Sequence, residues 1–373
     1  MRHTVSVALL VLLILTCATD GCALQVRQPQ SDRPNTGSPE RWSLGYWTPW
    51  GEPPIPPEAI EWNALTHVVY AWALVRPNGS LDLETQRVQS EAPALIRNAR
   101  KHGVKPILGV GQQYWSGQTT NLQSAISNHR ARLVDNIMDV VKTYGFDGVD
   151  LDWEPFNPAV SGRAMSAFAE DLRSRLGTTR TLSASVIITD YVYWGSAHRP
   201  FDRIGVMTYD MAGTWDPYSW HNAALYGPAR ATGSSWLPWS IDLAVRRFGD
   251  AGVPLEKLSI GLPFFGYVWS AAGVTEPGQR WTGKPNLRQI FYRELAGQFD
   301  KIRTANWDSV ARVPYLSYSD RFISYDNEQS IAEKIEYVKS KRLGGWIIWA
   351  VGSDYVPSRT PNQPLLRAVE NHR

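Results

Sequence analysis

The sequence predicts an α/β fold, a closed (β/α)8 barrel with a small α+β insertion between the seventh and eighth strands. Three observations carry this. Short apolar strand-like runs alternate with helix-like stretches along the chain, the pattern of a parallel sheet. Gly punctuates the turns between them. No Gly-rich phosphate turn follows an early strand, since Gly109-Val110-Gly111 has no third Gly, which removes the main signal of an open doubly wound sheet.

In order, the strand-like runs are Ser43 to Trp47, His67 to Leu74, Val104 to Val110, Phe146 to Glu154, Thr181 to Ile187, Arg203 to Asp210, Leu258 to Pro263 and Gly344 to Ala350. Helical periodicity links them. A brief helix starts near Pro57. Thr85 to Lys101 places Val88, Ala92, Leu95 and Ala99 on one face, and Gly103 ends it. Ser127 to Tyr144, Gly162 to Leu176, a helix around Ser240 to Phe248, and Ser330 to Lys341 follow the same logic. Residues 267–323 break the rhythm and are expected to form the insertion. The barrel domain is expected over 42–373. Asn78-Gly79-Ser80, a glycosylation sequon, is read as a turn because Pro77 precedes it.

The chain has 373 residues with 43% hydrophobic and 20% charged side chains, values of a globular protein. A formal charge of +3 and no basic run exclude a nucleic-acid footprint. Arg2 and His3 precede an apolar stretch, Val5 to Leu15, too short to span a bilayer. Residues 1–23 therefore read as a signal peptide, with Gly21-Cys22-Ala23 as the cleavage site and Thr16-Cys17-Ala18 as a second option, and 24–41 as a flexible leader. Both cysteines, Cys17 and Cys22, lie in the removed segment. The expected product is a secreted monomer with no membrane span, no disulfide and no cofactor.

The chemistry concentrates in Asp147-Gly148-Val149-Asp150-Leu151-Asp152-Trp153-Glu154. In a strand, residues two apart share a face, so Asp150, Asp152 and Glu154 point one way and Val149, Leu151 and Trp153 the other. Asp147 is out of phase and is read as structural. Like charges this close cannot all ionise easily, which is one way to hold a general acid. The same carboxylates would also suit a metal cage or a buried ion-pair row, and spacing alone leaves these open. The seven His are scattered with no metal-ligand spacing near the row. Active sites of such barrels lie at the C-terminal ends of the strands. There stand Tyr46, Trp72, Met207, Tyr209, Asp210 and Trp349, and seventeen Trp and 16 Tyr enrich the chain in faces that suit flat sugar rings.

The acidic row resembles the signature of glycoside hydrolase family 18, the chitinase family. Met207-Thr208-Tyr209-Asp210, Ile260-Gly261-Leu262-Pro263-Phe264-Phe265-Gly266 and Gly344-Gly345-Trp346-Ile347-Ile348-Trp349 extend the resemblance over roughly residues 42 to 355. It implies Glu154 as general acid, with the substrate's own N-acetyl carbonyl as nucleophile. It implies Asp152 on the acetamido N–H, Asp150 sharing a proton with Asp152, and Tyr209 on the N-acetyl oxygen. Asp210 and Met207 would line the sugar pocket, Trp349 its floor, with Tyr46 and Trp72 beside it. The substrate would be a β-1,4-linked N-acetylglucosamine polymer. A glycan-binding lectin on the same barrel, or an endo-β-N-acetylglucosaminidase acting on glycoproteins or peptidoglycan, are the rival expectations. One departure stands out. Where the family usually carries Ser-x-Gly-Gly, this chain reads Gly109-Val110-Gly111-Gln112, and Trp72 stands where Phe is common.

Overall fold

The computed structural model describes residues 41–50, 55–112, 120–154, 156–228, 237–271, 273–283, 285–298 and 305–373. The expected signal peptide and nearly all of the expected leader, both cysteines, Gln113, Tyr114, Pro155 and the side chain of Gln112 lie outside them.

Eight parallel strands close the barrel: β1 (Trp42–Trp47), β2 (His67–Val75), β4 (Lys105–Gln112), β5 (Gly148–Trp153), β6 (Thr181–Ile187), β7 (Arg203–Met207), β8 (Leu258–Pro263) and β14 (Gly345–Trp349). Their order is β1-β14-β8-β7-β6-β5-β4-β2, and the β1–β2 pairing shuts the ring. A two-residue strand, β3 (Leu81–Asp82), pairs antiparallel with β2. The turn between them holds Asn78-Gly79-Ser80: Asn78 Oδ1 accepts from the Ser80 amide at 3.0 Å, and Gly79 adopts φ 81°. That geometry is an Asx turn with a left-handed glycine.

Helices α1 (Val88–Lys101), α2 (Asn121–Tyr144), α3 (Pro158–Leu176), α4 (Tyr191–Ala197), α5 (Ile241–Asp250), α7 (Glu328–Ser340) and α8 (Pro364–His372) accompany the barrel. Two begin earlier than periodicity predicts. Asn157 caps α3 through the Ala159 amide with Pro158 in the first turn, and α2 runs through a kink at His129. The period-2 pattern of β5 sorts its side chains as expected. Val149, Leu151 and Trp153 join the apolar layer under the helices, whereas Asp150 and Asp152 are buried on the barrel's inner side. A smaller cluster of Leu44, Tyr46, Val69, Ala71, Trp72, Ile107, Ile347 and Ala350 fills the inside. Each fully buried Leu, Ile or Val contributes about 1.5–3 kcal/mol.

Between β8 and β14 the chain builds a five-stranded antiparallel sheet, β10-β9-β13-β12-β11. Its strands are β9 (Phe265–Ser270), β10 (Asn286–Phe291), β11 (Asn306–Asp308), β12 (Val313–Tyr318) and β13 (Arg321–Ser324), with α6 (Tyr292–Gln298) following β10.

Candidate active site

The barrel's C-terminal end opens into a cleft of about 690 Å3 lined by Tyr46, Trp72, Asp152, Glu154, Met207, Tyr209, Asp210 and Trp349, together with residues considered below. Eight of the residues singled out from the sequence thus converge on one cavity. Asp150 lies beneath its floor, 1% exposed. Asp147 is elsewhere. It precedes β5 at the barrel's opposite end, where its carboxylate meets Arg100 at 3.4 Å and its backbone links to Pro106 and Thr181.

The carboxylates stack in depth. Asp150 Oδ1 accepts from Ser183 Oγ at 2.5 Å and Oδ2 from Tyr46 OH at 2.6 Å; Tyr46 OH also bonds to Ser185 Oγ. Burial raises Asp150 to about 6, and the Ser183 and Tyr46 hydroxyls pull the other way. No hydrogen bond runs from Asp150 to Asp152 among the described residues. Asp152 is pushed well above the ordinary range by burial, then by the charges of Glu154 and Asp150, with the Trp72 indole offsetting part. Its Oδ1 is buried without a hydrogen-bond partner. Glu154 comes immediately after β5, nearest the mouth. Burial and then the charge of Asp210 raise it to about 7. An acid in this range holds its proton in mildly acidic solution and is matched to proton transfer near neutrality.

β7 ends at Met207, short of the expected Asp210. Past it, the Thr208 hydroxyl accepts from the Gly261 amide at 2.8 Å and donates to the Gly261 carbonyl at 3.0 Å, replacing the ladder. A Cβ on Gly261 would sit 2.7 Å from the Tyr209 ring, so glycine there gives the ring its place. Asp210 then adopts the left-handed φ of 55°, tolerated by Asp. Asn222 Oδ1 holds its amide at 2.9 Å while Asn222 Nδ2 donates to the Phe265 carbonyl at 3.2 Å. Burial raises Asp210 to about 6, offset by the Tyr267 hydroxyl. Burial first, then the four carboxylates, keep the Tyr209 phenol protonated well beyond its ordinary range.

The aromatic floor is continuous. Trp72 and Trp349 stack with centroids 5.2 Å apart, Tyr46 meets Trp349 edge-on at 5.6 Å, and Trp50 extends the row over Trp72 at 6.0 Å. Both the Ala71–Trp72 and Trp349–Ala350 peptides are cis. Among the described residues, no group of three or more His, Cys, Asp or Glu is arranged to hold a metal ion.

The match to known proteins follows the same residues. The model of glycosyl hydrolases family 18 covers residues 43–354, from the first strand to just past the last. The chain belongs to glycosyl hydrolase family 18. Among its relatives, a probable endochitinase of Caenorhabditis elegans is 28% identical over 348 residues, 83% of this chain and 55% of that protein. Chitinase A1 of Niallia circulans is 30% identical over 285 residues, 67% of this chain and 41% of that one. The chain spans about half the length of these two relatives. Among solved structures, a family 18 N-acetylglucosaminidase from Paenibacillus barengoltzii aligns with a TM-score of 0.73 at 26% identity, over 90% of this chain and all of the other. The Ostrinia furnacalis Group IV chitinase in complex with allosamidin aligns with a TM-score of 0.77 at 24% identity, over 89% of this chain and 98% of that one.

This family 18 member builds part of its cleft from residues that sequence reasoning did not single out. Ser185 and Ile187 on β6, Phe265 and Tyr267 on β9, and Gln289 and Phe291 on β10 line it, with Trp50 and Trp215 at its rim. Period-2 reading of β6 would have placed Ser183, Ser185 and Ile187 on one inward face. No local signal marks Tyr267 or Gln289 as cleft residues, because β9, which follows β8 after a single residue, and β10 reach the cleft only once their sheet is packed on the barrel.

Proposed function

We propose that this family 18 chain is a glycosidase that hydrolyses β-1,4-linked N-acetylglucosamine polymers, chitin or chito-oligosaccharides, by a retaining, substrate-assisted route. The observation that carries this reading is Glu154 itself: a carboxyl raised to about 7, at the mouth of an aromatic-floored cleft, above two deeper carboxylates. Glu154 protonates the glycosidic oxygen. The substrate's acetamido oxygen attacks the anomeric carbon, the leaving sugar departs with the Glu154 proton, and an oxazolinium ion forms. This is the case in which the usual two-carboxylate separation does not apply. Water activated by the Glu154 carboxylate then opens that ion with overall retention.

Asp152, with its unpartnered Oδ1, accepts the acetamido N–H and stabilises the positive charge that develops beside it. Asp150, held from the side by Ser183 and Tyr46, sets the charge felt by Asp152. Tyr209, kept protonated, donates to the acetamido oxygen. Trp349 and Trp72 carry the sugar face, and Met207 and Asp210 bound its pocket. The protein acts as a secreted monomer after removal of residues 1–23.

The deciding experiment is turnover of chito-oligosaccharides of defined length by the wild type and Glu154→Gln. The variant should lose roughly 10²–10⁴-fold in kcat while still binding sugar. Equal turnover by both would sink the reading, and tight binding with no product from the wild type would make the chain a lectin. N-terminal sequencing of the exported protein tests the cleavage after Ala23.

A further inference from the structure

Asp210 stands on the cleft wall in an uncommon conformation. Its φ of 55° is left-handed, a region that a non-glycine residue leaves unless its neighbours hold it there. Asn222 supplies the hold. Its Oδ1 accepts the Asp210 amide at 2.9 Å and its backbone carbonyl accepts the Met211 amide at 3.1 Å, so two successive amides dock on one residue. Asn222 is fixed in turn from the insertion sheet. Its Nδ2 donates to the Phe265 carbonyl at 3.2 Å, and its amide donates to Ser324 Oγ at 2.7 Å. It is 2% exposed and is not among the residues that line the cleft.

The partners determine the residue type. A backbone amide can only donate and a carbonyl can only accept, so the side chain between Asp210 and Phe265 needs an acceptor and a donor on one short group. Asn has both, Asp lacks the donor and Leu lacks both. The preceding residue anchors the same segment. His221 is fully buried, its Nε2 lies 3.0 Å from Asp308 Oδ2, and its ring meets Tyr315 and Phe322 edge-on at 5.9 and 5.8 Å. Asp308 Oδ1 accepts the Val310 and Ala311 amides, each at 2.9 Å. Strands β9, β11, β12 and β13 of the insertion sheet therefore all bear on two consecutive residues, His221 and Asn222.

We propose that Asn222 is a positioning residue for the reaction, through which the insertion sheet holds the Asp210 carboxylate where its charge acts on Glu154. The inference rests on the reading of Glu154 as the general acid. Without the hold, Asp210 returns to negative φ, its Cα–Cβ bond swings round, and the carboxylate leaves both Tyr267 and its place on the wall. The titratable groups that act on or respond to Glu154 are Asp152 on β5, with Asp150 beneath it, and Tyr209 and Asp210 beyond β7; Tyr267 on β9 faces Asp210. Of these, Asp210 is the one whose amide Asn222 holds. Loss of its negative charge from the surroundings of Glu154 lets Glu154 release its proton at lower pH.

Two measurements on the full chain test this: titration of the Glu154 carboxyl by 13C NMR, and the pH profile of kcat/KM on chito-oligosaccharides. Both are made on the wild type, Asn222→Ala and Ser240→Ala. Ser240 caps α5 by accepting the Leu243 amide at 3.2 Å, and serves as a structural comparison. In Asn222→Ala the Glu154 titration and the alkaline limb should move together to lower pH, by about half a pH unit or more, and kcat should fall about tenfold or more. Ser240→Ala should lose stability with both left in place. An unmoved Glu154 titration in Asn222→Ala overturns the proposal, as does an equal movement in Ser240→Ala. A wild type that releases no product sinks the hydrolytic reading alone, since the NMR titration reads the Asn222 hold without turnover. Should Asn222→Ala not fold, Ser324→Ala, which frees the Asn222 amide, takes its place. A smaller movement in the same direction is expected there, and an unmoved titration overturns the proposal.

Discussion

Tyr267 donates its phenolic hydroxyl to Asp210 Oδ1 at 2.8 Å, tying the insertion sheet to the barrel at the wall of the cleft. Burial is the main reason Glu154 sits at about 7, and the charge of Asp210 is the second. Tyr267→Phe removes the donor that holds Asp210 down, so Asp210 climbs above about 6 and carries less negative charge in mildly acidic solution. Its push on Glu154 weakens, and Glu154 loses its proton at lower pH. The alkaline limb of the kcat/KM profile should therefore shift to lower pH in Tyr267→Phe, and further in Asp210→Asn. A limb that stays in place, or moves up, contradicts the coupling.

Asp150 has both oxygens committed to neutral hydroxyls, Ser183 on one side and Tyr46 on the other. A hydrogen bond to an ionised buried carboxylate contributes about 1.5–3 kcal/mol, more than one to the neutral acid. Because Asp150 titrates at about 6, Tyr46→Phe should cost more stability at pH 8 than at pH 5. Urea unfolding at the two pH values measures this. An equal loss at both would mean that Tyr46 supports the barrel by packing alone.

These two cases mark what was legible in the sequence. The depth order of Asp150, Asp152 and Glu154 follows from the two-residue period of one strand, a local property. Trp72, Met207 and Trp349 follow from strand ends, with the same locality. Tyr267 and Asn222 do not, because each acts by bridging the barrel and a separate sheet, and neither has a pattern of its own. The place of Asp210 depends on a strand that stops three residues early, when the Thr208 hydroxyl replaces backbone pairing. Helices α4 and α8 escaped notice because seven and nine residues give too few turns for a clear apolar stripe.

Asp354, fully buried, caps α8 from outside it: Oδ2 accepts the Leu365 and Leu366 amides, each at 2.9 Å. Burial raises it to about 7, the backbone donors opposing and Glu328 adding to the rise. The folded value lies above the unfolded one. The stability this group contributes is therefore complete below about pH 4 and is lost as pH rises through about 7. Asp354→Asn keeps the acceptor and removes the titration. Between pH 4 and pH 7 the wild type should lose more stability than the variant, by on the order of a few kcal/mol. Parallel stability curves for the two proteins would refute this.

Gly109 stands beside Asp150 in the β4–β5 register. A Cβ there would lie 2.8 Å from the Tyr70 carbonyl oxygen and 2.9 Å from both Trp72 Cδ1 and Val69 Cγ1. The Trp72 indole and the glycine at 109 are thus one fitted pair. Gly109→Ser alone should overpack the barrel and cost about 1–3 kcal/mol. In a Trp72→Phe background the smaller ring, released from its stacks on Trp50 and Trp349, can move aside. The Tyr70 carbonyl cannot, so the rescue should be partial. A double-mutant cycle should give a favourable coupling of about 1 kcal/mol. Additivity within about 0.5 kcal/mol would show that the two positions are not coupled.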